Sequence, residues 1–175
     1  KIYFLMSQKN KPIIVIGSGG HSKVLLNILI NSDREILGIT DPKKKIGENF
    51  FGSKVLGNDE EIFKYSSNDI ELVNGVAGYN LKKTRNRLTK IFKDKGYSFI
   101  RVIHPSAIIA DEVTLHEGVQ IMAGAILQNN VHIGYSSIIN TGAIIDHDCS
   151  INNNCHIAPG VVLNGNVTIG ERTHI

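Results

Sequence analysis

From residue 103 to residue 175 every sixth residue is isoleucine or leucine: Ile103, Ile109, Leu115, Ile121, Leu127, Ile133, Ile139, Ile145, Ile151, Ile157, Leu163, Ile169 and Ile175. Four residues after each of the first twelve comes a small or β-branched residue: Ala107, Val113, Val119, Ala125, Val131, Ser137, Ala143, Cys149, Cys155, Val161, Val167 and Thr173. A helix repeats its apolar face every 3.6 residues and a half-buried strand every two, so neither sustains this spacing over roughly seventy residues. A stacked repeat does. Three hexads close one triangular coil, each supplying a short strand and a turn, and aliphatic residues three hexads apart stack inside it. The expected fold of residues 103–175 is a left-handed parallel β-helix of hexapeptide repeats, with Leu127, Ile145 and Leu163 in one inward column.

Residues 1–102 follow a different grammar. Pro12–Ile16 reads as a buried strand and Gly20–Ile30 as a helix with Val24, Leu25, Ile28 and Leu29 on one face. Glu35–Thr40 reads as a second strand, Asp59–Tyr65 as a short helix and Ile70–Val76 as a third strand. Asn80–Lys95, with Leu81, Leu88, Ile91 and Phe92 among many lysines, reads as a surface helix ended by Gly96. Tyr97–Ile103 returns as a strand. This alternation predicts a small parallel sheet covered by helices, a Rossmann-like α/β domain over residues 1–102.

The 175 residues suffice for one ordinary domain or two small ones. No run of 18 apolar residues occurs, so no transmembrane helix and no membrane partner are expected. Lys1–Met6 is apolar but too short for a signal-peptide core. The net charge of +3 divides unevenly: residues 1–100 carry 17 Lys/Arg against 10 Asp/Glu, residues 101–175 carry 2 against 6. A basic first half suits a phosphorylated ligand or is simply a solvated surface. Its basic residues are dispersed and lack a nucleic-acid-binding motif, so no nucleic acid is expected. Cys149 and Cys155 occupy the small-residue position of the repeat and offer neither a disulfide framework nor a metal knuckle, which makes the cytoplasm the expected compartment.

Two constellations carry chemistry. Gly17-Ser18-Gly19-Gly20-His21-Ser22-Lys23 lies between the first strand and the first helix. There, backbone N–H groups can cradle a phosphate, with His21 or Lys23 adding a donor or charge. Ser22 stands where a dinucleotide fingerprint has its third glycine. Asp41, after the second strand, can accept from ribose hydroxyls. The alternative is a tight turn without ligand. In the β-helix, His147 is flanked by Asp146 and Asp148, so a carboxylate can orient the imidazole and raise its basicity, as a general base requires. Gly165 stacks one coil above and can offer a backbone N–H to a developing oxyanion. Taken alone, His147 reads better as a solvated turn residue than as a base. His116 and His132 read as exposed turn residues, and nothing gives His174 a role.

Together these residues resemble the family of NeuD-like and bacillosamine-pathway sugar acetyltransferases, over nearly the whole chain and most specifically from Asn140 to Gly165. The resemblance implies transfer of an acetyl group from acetyl-CoA to the amino group of a UDP-type nucleotide-linked amino-deoxy sugar, for bacterial surface glycan synthesis. It equally permits O-acetylation of a sialic-acid-like sugar. It also implies a homotrimer with active sites between neighbouring β-helices, and no metal. Residue by residue, it makes His147 the catalytic base, Asp148 its polarising carboxylate and Gly165 the oxyanion-binding amide. Asn140 and His156 become contacts near the acetyl group and acceptor, and Gly17, Gly19, Gly20, His21, Lys23 and Asp41 the nucleotide-sugar loop. Gly78 and Asn80, with Arg85 or Arg87 behind them, correspond to the third-strand loop. Family members continue through further coils, so the repeat's end at Ile175 without a cap predicts a shortened C-terminus and an incomplete donor site. Two readings compete from outside: a β-helix zinc hydratase, which needs three converging imidazoles, and a nucleotide-sugar-binding protein without catalysis.

Overall fold

The computed structural model describes residues 11–78 and 82–175. Lys1–Met6, Asn80 and Leu81, singled out above, lie outside them.

The first half is built on a five-stranded sheet in the order β3-β4-β2-β1-β5. Its interior strand β1 (Ile13–Ile16) is four aliphatic residues buried on both faces. Both neighbours, β2 (Ile36–Thr40) and β5 (Glu71–Asn74), run parallel to it, the arrangement that crossover helices produce. Helix α1 (Gly20–Ile30) buries Ser22, Leu25, Leu26, Ile28 and Leu29. Val24, expected inside, is 44% exposed. At about 100° per residue it sits opposite the stripe of Ser22, Leu25, Leu26 and Leu29.

Two further differences concern the strands. The sequence reading left residues 41–58 without a strand, yet β3 (Asn49–Phe50) and β4 (Ser53–Gly57) form an antiparallel pair, and β4 extends the sheet beside β2. The segment Ser-Lys-Val-Leu-Gly buries alternate residues, a period-two signal hidden because only Val55 and Leu56 are aliphatic. Tyr97–Ile103, expected as one strand, contributes a single bridge from Phe99 to Leu72, and then Val102 leaves to pair with the β-helix. Asp59–Lys64 is a 3₁₀ helix, and α2 runs from Lys82 to Asp94, burying Arg85, Leu88, Thr89 and Phe92 while Ile91 stays 36% exposed.

From residue 102 onward, twelve two-residue strands follow at six-residue intervals, β6 (Val102–Ile103) through β17 (Thr168–Ile169). They stack as three four-stranded parallel sheets, β6-β9-β12-β15, β7-β10-β13-β16 and β8-β11-β14-β17, the three sides of a left-handed β-helix. Leu127, Ile145 and Leu163 pair in register and are buried in one column. The nine repeat positions from Ile121 to Ile169 are all buried, while Ile103 and Ile175 are each 40% exposed. Residues 118, 124, 130, 136, 142, 148, 154, 160, 166 and 172 all have left-handed backbone. That corner is Gly four times and Asn three times, the residues that adopt positive φ most readily. Asp148 occupies one of these corners.

The three outer faces differ. On β6-β9-β12-β15 the outward Val102, Gln120 and Ile138 are buried. Val102 and Met122 share a core with Leu25, Leu29 and Val73 of the first half. On β7-β10-β13-β16 the outward column is Ile108, Ile126, Ile144 and Val162, with Ile108 and Val162 more than 60% exposed. On the third face it is Thr114, His132, Ser150 and Thr168.

Candidate active site

His147 sits at the corner after β13 (Ile144–Ile145). Its Nδ1 lies 2.8 Å from Oδ2 of Asp148. The carboxylate can only accept, so the proton is on Nδ1 and the Nε2 lone pair is free. Hydrogen bonding to Asp148, aided by the charge of Asp146, raises the His147 pKa above its ordinary value. Asp148 is itself steadied: Asn130, one coil below, donates from Nδ2 to Oδ1 at 2.8 Å, and this bond and the imidazole hold its carboxyl below the usual range. Gly165 lies against the ring. A Cβ there would stand 2.6 Å from Cε1 and 2.7 Å from Nε2 of His147, so only glycine lets the imidazole rest on this backbone. Its N–H has no partner among the described residues.

A second cluster forms around His156 on β15 (His156–Ile157). Oδ1 of Asn140 accepts from Thr141 N–H at 2.8 Å, so its amide nitrogen is the group 3.0 Å from His156 Nε2. Nε2 therefore accepts, and the His156 proton is on Nδ1. Burial, with His174 and the Arg85 charge nearby, pushes the His156 pKa down to about 4. This ring is neutral near pH 7 and its Nε2 is engaged, so it can donate from Nδ1 but is a poor base. His174, one coil on, packs on it at 4.4 Å between centroids. Gly78, Arg85, Asn86 and Arg172 close a cleft of about 20 Å³ beside these two rings.

The third cluster is the glycine loop. Residues 17–21 line a cavity of about 630 Å³ with Asp41, Lys43, Lys44, Asp59, Val76, Ala77, Thr84 and Arg87. Gly19 caps α1 without a side-chain bond, which leaves first-turn N–H groups available to an anion. Ser22 binds the carbonyls of Gly17 and Gly75, at 2.7 and 3.1 Å, and so ties the loop to β5. Burial alone would raise the pKa of Asp41, but hydrogen bonds from Ser18 and from Lys43 N–H hold it below the ordinary value. Asp41 braces the loop and keeps acceptor capacity toward the cavity. Lys23 does not line it: its ammonium lies 5.9 Å from the Phe50 ring centroid, because position 23 of α1 faces away from the cavity. Lys43, Lys44 and Arg87 supply the positive charge instead.

The structure thus gathers His147, Asp148 and Gly165 at one corner, Asn140 and His156 at another, and Gly17, Gly19, Gly20, His21 and Asp41 around the cavity. The face β7-β10-β13-β16 separates the first corner from the second. Asn130 was missed by sequence reasoning, although its offset of three hexads from Asp148 announces the stack. Gln120 was missed as well, a polar residue set between the apolar Val102 and Ile138 on the outward column. Among the described residues no group of three or more His, Cys, Asp or Glu side chains could hold a metal ion, and no helix is long and apolar enough to cross a membrane.

Comparison with known proteins bears on this arrangement. Residues 12–92 match the family described as the PglD N-terminal domain. A UDP-N-acetylbacillosamine N-acetyltransferase of Bacillus subtilis is 33% identical over 118 residues, 65% of this chain and 52% of the relative; the chain thus spans about half the length of that curated relative. PerB from Caulobacter crescentus, solved in complex with CoA and GDP-perosamine, superposes with a TM-score of 0.83 at 33% identity, covering 93% of this chain and 76% of that one. The acetyltransferase domain of PglB from Neisseria gonorrhoeae, in complex with acetyl coenzyme A, gives a TM-score of 0.86 at 28% identity over 95% and 79% of the two chains. With a matching N-terminal domain, a shared β-helix and a third of its residues in common with PerB, this chain belongs to the family of bacillosamine- and perosamine-pathway sugar acetyltransferases.

Proposed function

We propose that the protein transfers an acetyl group from acetyl-CoA to the amino group of a nucleotide-linked amino-deoxy sugar of the UDP type, for a bacterial surface glycan, in the cytoplasm. The observation that carries this reading is the His147–Asp148 pair resting on Gly165. Nucleophilic attack by an amine needs a base, and His147 has its Nε2 lone pair free and its basicity raised. Acetyl-CoA supplies the electrophilic thioester carbonyl. The corner suits such a donor, since the Gly165 N–H is unpartnered and available to the oxygen that gains charge. The glycine-loop cavity, with open helix N–H groups and Lys43, Lys44 and Arg87, suits the diphosphate of the acceptor.

The active site is proposed to lie between subunits of a homotrimer. Three copies packed through the Ile108, Ile126, Ile144 and Val162 column would cover exposed aliphatic surface. One edge of that face ends in the His147 corner and the other in the Asn140 corner. Packing face to face around a three-fold axis then sets His147 of one copy beside Asn140 and His156 of the next. The test is direct: the full-length protein is given acetyl-CoA and a panel of UDP- and GDP-linked amino sugars, and release of CoA thiol is followed. Acetylation of a UDP-linked amine is the expected result. Turnover of none of the panel, with nucleotide-sugar binding intact, would sink the catalytic assignment.

A further inference from the structure

A chain of buried polar contacts crosses from the glycine loop into the β-helix. His21 Nε2 is 2.7 Å from Oε1 of Gln120, on β9 (Gln120–Ile121). The Gln120 amide nitrogen donates to the carbonyl of Asn74 at 2.8 Å. That same carbonyl accepts from Arg85 Nη1 at 2.6 Å, which also reaches Val76 O at 3.0 Å. Arg85 Nη2 continues to the carbonyl of Ser136, a left-handed corner of the β-helix, at 3.2 Å. Gln120 is 1% exposed and Arg85 5%. A guanidinium this deep costs heavily unless its donors are satisfied; here backbone carbonyls engage both terminal nitrogens, while Nε has no partner among the described residues.

The orientation of each group follows. Because the Gln120 amide nitrogen is committed to Asn74, its oxygen faces His21 and must accept. The His21 proton is therefore on Nε2. The charge of Arg85 and the His156 ring stand near it and add to burial in keeping His21 neutral. Nδ1, with no partner among the described residues, is left as an acceptor on a residue that lines the cavity.

We infer that Gln120 and Arg85 are positioning residues that fix His21 as its Nε2-protonated tautomer and clamp the Asn74–Gly78 loop to the β-helix, so that His21 Nδ1 serves the acceptor as a hydrogen-bond acceptor. This rests on the reading of the cavity as the nucleotide-sugar site. His21 Nδ1 would accept one N–H of the substrate while His156 Nδ1 donates nearby, a pairing that favours a neutral amine over its ammonium form. The role is distinct from that of His147, which removes the proton.

The experiment is nitrogen NMR of the histidine rings in the ligand-free, full-length protein, followed by steady-state kinetics. The wild type should show His21 as the Nε2–H tautomer, uncharged down to pH 5. Gln120→Glu, which keeps shape but places a carboxylate on the ring and cannot donate to Asn74, should make His21 charged at pH 7. It should raise the KM for the nucleotide-sugar at least tenfold while leaving the KM for acetyl-CoA within twofold. A His21 that carries its proton on Nδ1, or titrates near 6.5 in the wild type, overturns the inference without recourse to any variant. So does a folded Gln120→Glu protein with an unchanged His21 spectrum. The tautomer is read without turnover, so an absence of acetyl transfer would count against the proposed activity and leave this measurement to decide the positioning.

Discussion

Replacing Gly165 by alanine isolates the geometry of the proposed base from its chemistry. The added methyl would meet Cε1 of His147 at 2.6 Å, where ordinary contact begins at 3.4 Å, so the ring must retreat by about 0.8 Å. Taken along the Nδ1–Oδ2 line, that movement carries the 2.8 Å bond to Asp148 out to about 3.6 Å, which is no longer a hydrogen bond. Misplacement of a reacting group by about 1 Å costs on the order of 100-fold, so kcat should fall roughly 100-fold with little change in the acceptor KM. Gly165 is not among the residues with positive φ and the His147 side chain is 60% exposed, so the fold should melt within a few degrees of the wild type. The His147 pKa should drop back toward its ordinary value, because the bond that raises it is lost. Thiol release and a histidine NMR titration of the full-length protein measure both effects. If Gly165→Ala keeps more than half the wild-type kcat and an unmoved His147 pKa, the packing of ring on glycine has no part in catalysis.

Four further outcomes follow from the same structure. His147→Ala should lower kcat by about 100- to 10,000-fold, and Asp148→Asn by less, since asparagine suits the left-handed corner and removes only the charge; retention of half the activity in His147→Ala would place the base elsewhere. Gly19→Val should abolish nucleotide-sugar binding in calorimetry while lowering the melting temperature by only a few degrees, because a Cβ at Gly19 meets nothing within 4 Å and the cost is that of a poorer helix cap; unaltered binding would return the loop to a plain turn. Ile126→Glu puts a charge in the middle of the outward aliphatic column and should turn a trimer into monomers by sedimentation; a wild type that is already monomeric at micromolar concentration refutes the inter-subunit site. His21 is half-buried, and desolvation takes its pKa from 6.5 down to about 4: the unfolded chain takes up its proton first as pH drops, so stability is full above pH 6.5 and is lost toward pH 4, by about 3 kcal/mol. Urea melts at pH 7 and pH 4.5 should show this loss in the wild type and much less of it in His21→Asn; equal slopes would mean the ring is solvated.

The β-helix was legible because one spacing governs both its core and its corners. Ile145 and Leu163 declare their contact by standing three hexads apart, and the same arithmetic places Gly165 over His147 and Asn130 under Asp148. The sheet of the first half was legible where burial is complete, as in Ile13–Ile16, and not where a strand lies at the edge, as in Ser53–Gly57. Val24 was misplaced because the six aliphatics among the eleven residues of Gly20–Ile30 fit more than one helical stripe. Lys23 was a weaker choice than Lys43 or Lys44 for a related reason: the cavity is closed by the loop after β2, whose approach no local pattern announces. Gln120 and Arg85 meet only through folding of distant segments, and a buried polar side chain has no periodicity to betray it.

The shared core of Val102 and Met122 with Leu25, Leu29 and Val73 also bears on the order in which the chain acquires its shape. A stack of coils has no strong starting point, because each coil gains its contacts only when the one before it is in place. Here the α/β half leaves the ribosome first and can close its sheet from its own strands. It then presents a finished apolar floor to the first coil, which settles on a template instead of nucleating in solution. Each later coil needs contacts only three hexads back along the chain, a short loop to close. Growth therefore runs in one direction, as a zipper does from its fixed end. A destabilising change in Leu25 or Val73 would then slow assembly of the whole β-helix, whereas the same loss at Leu163, several coils beyond that template, would chiefly hasten unfolding.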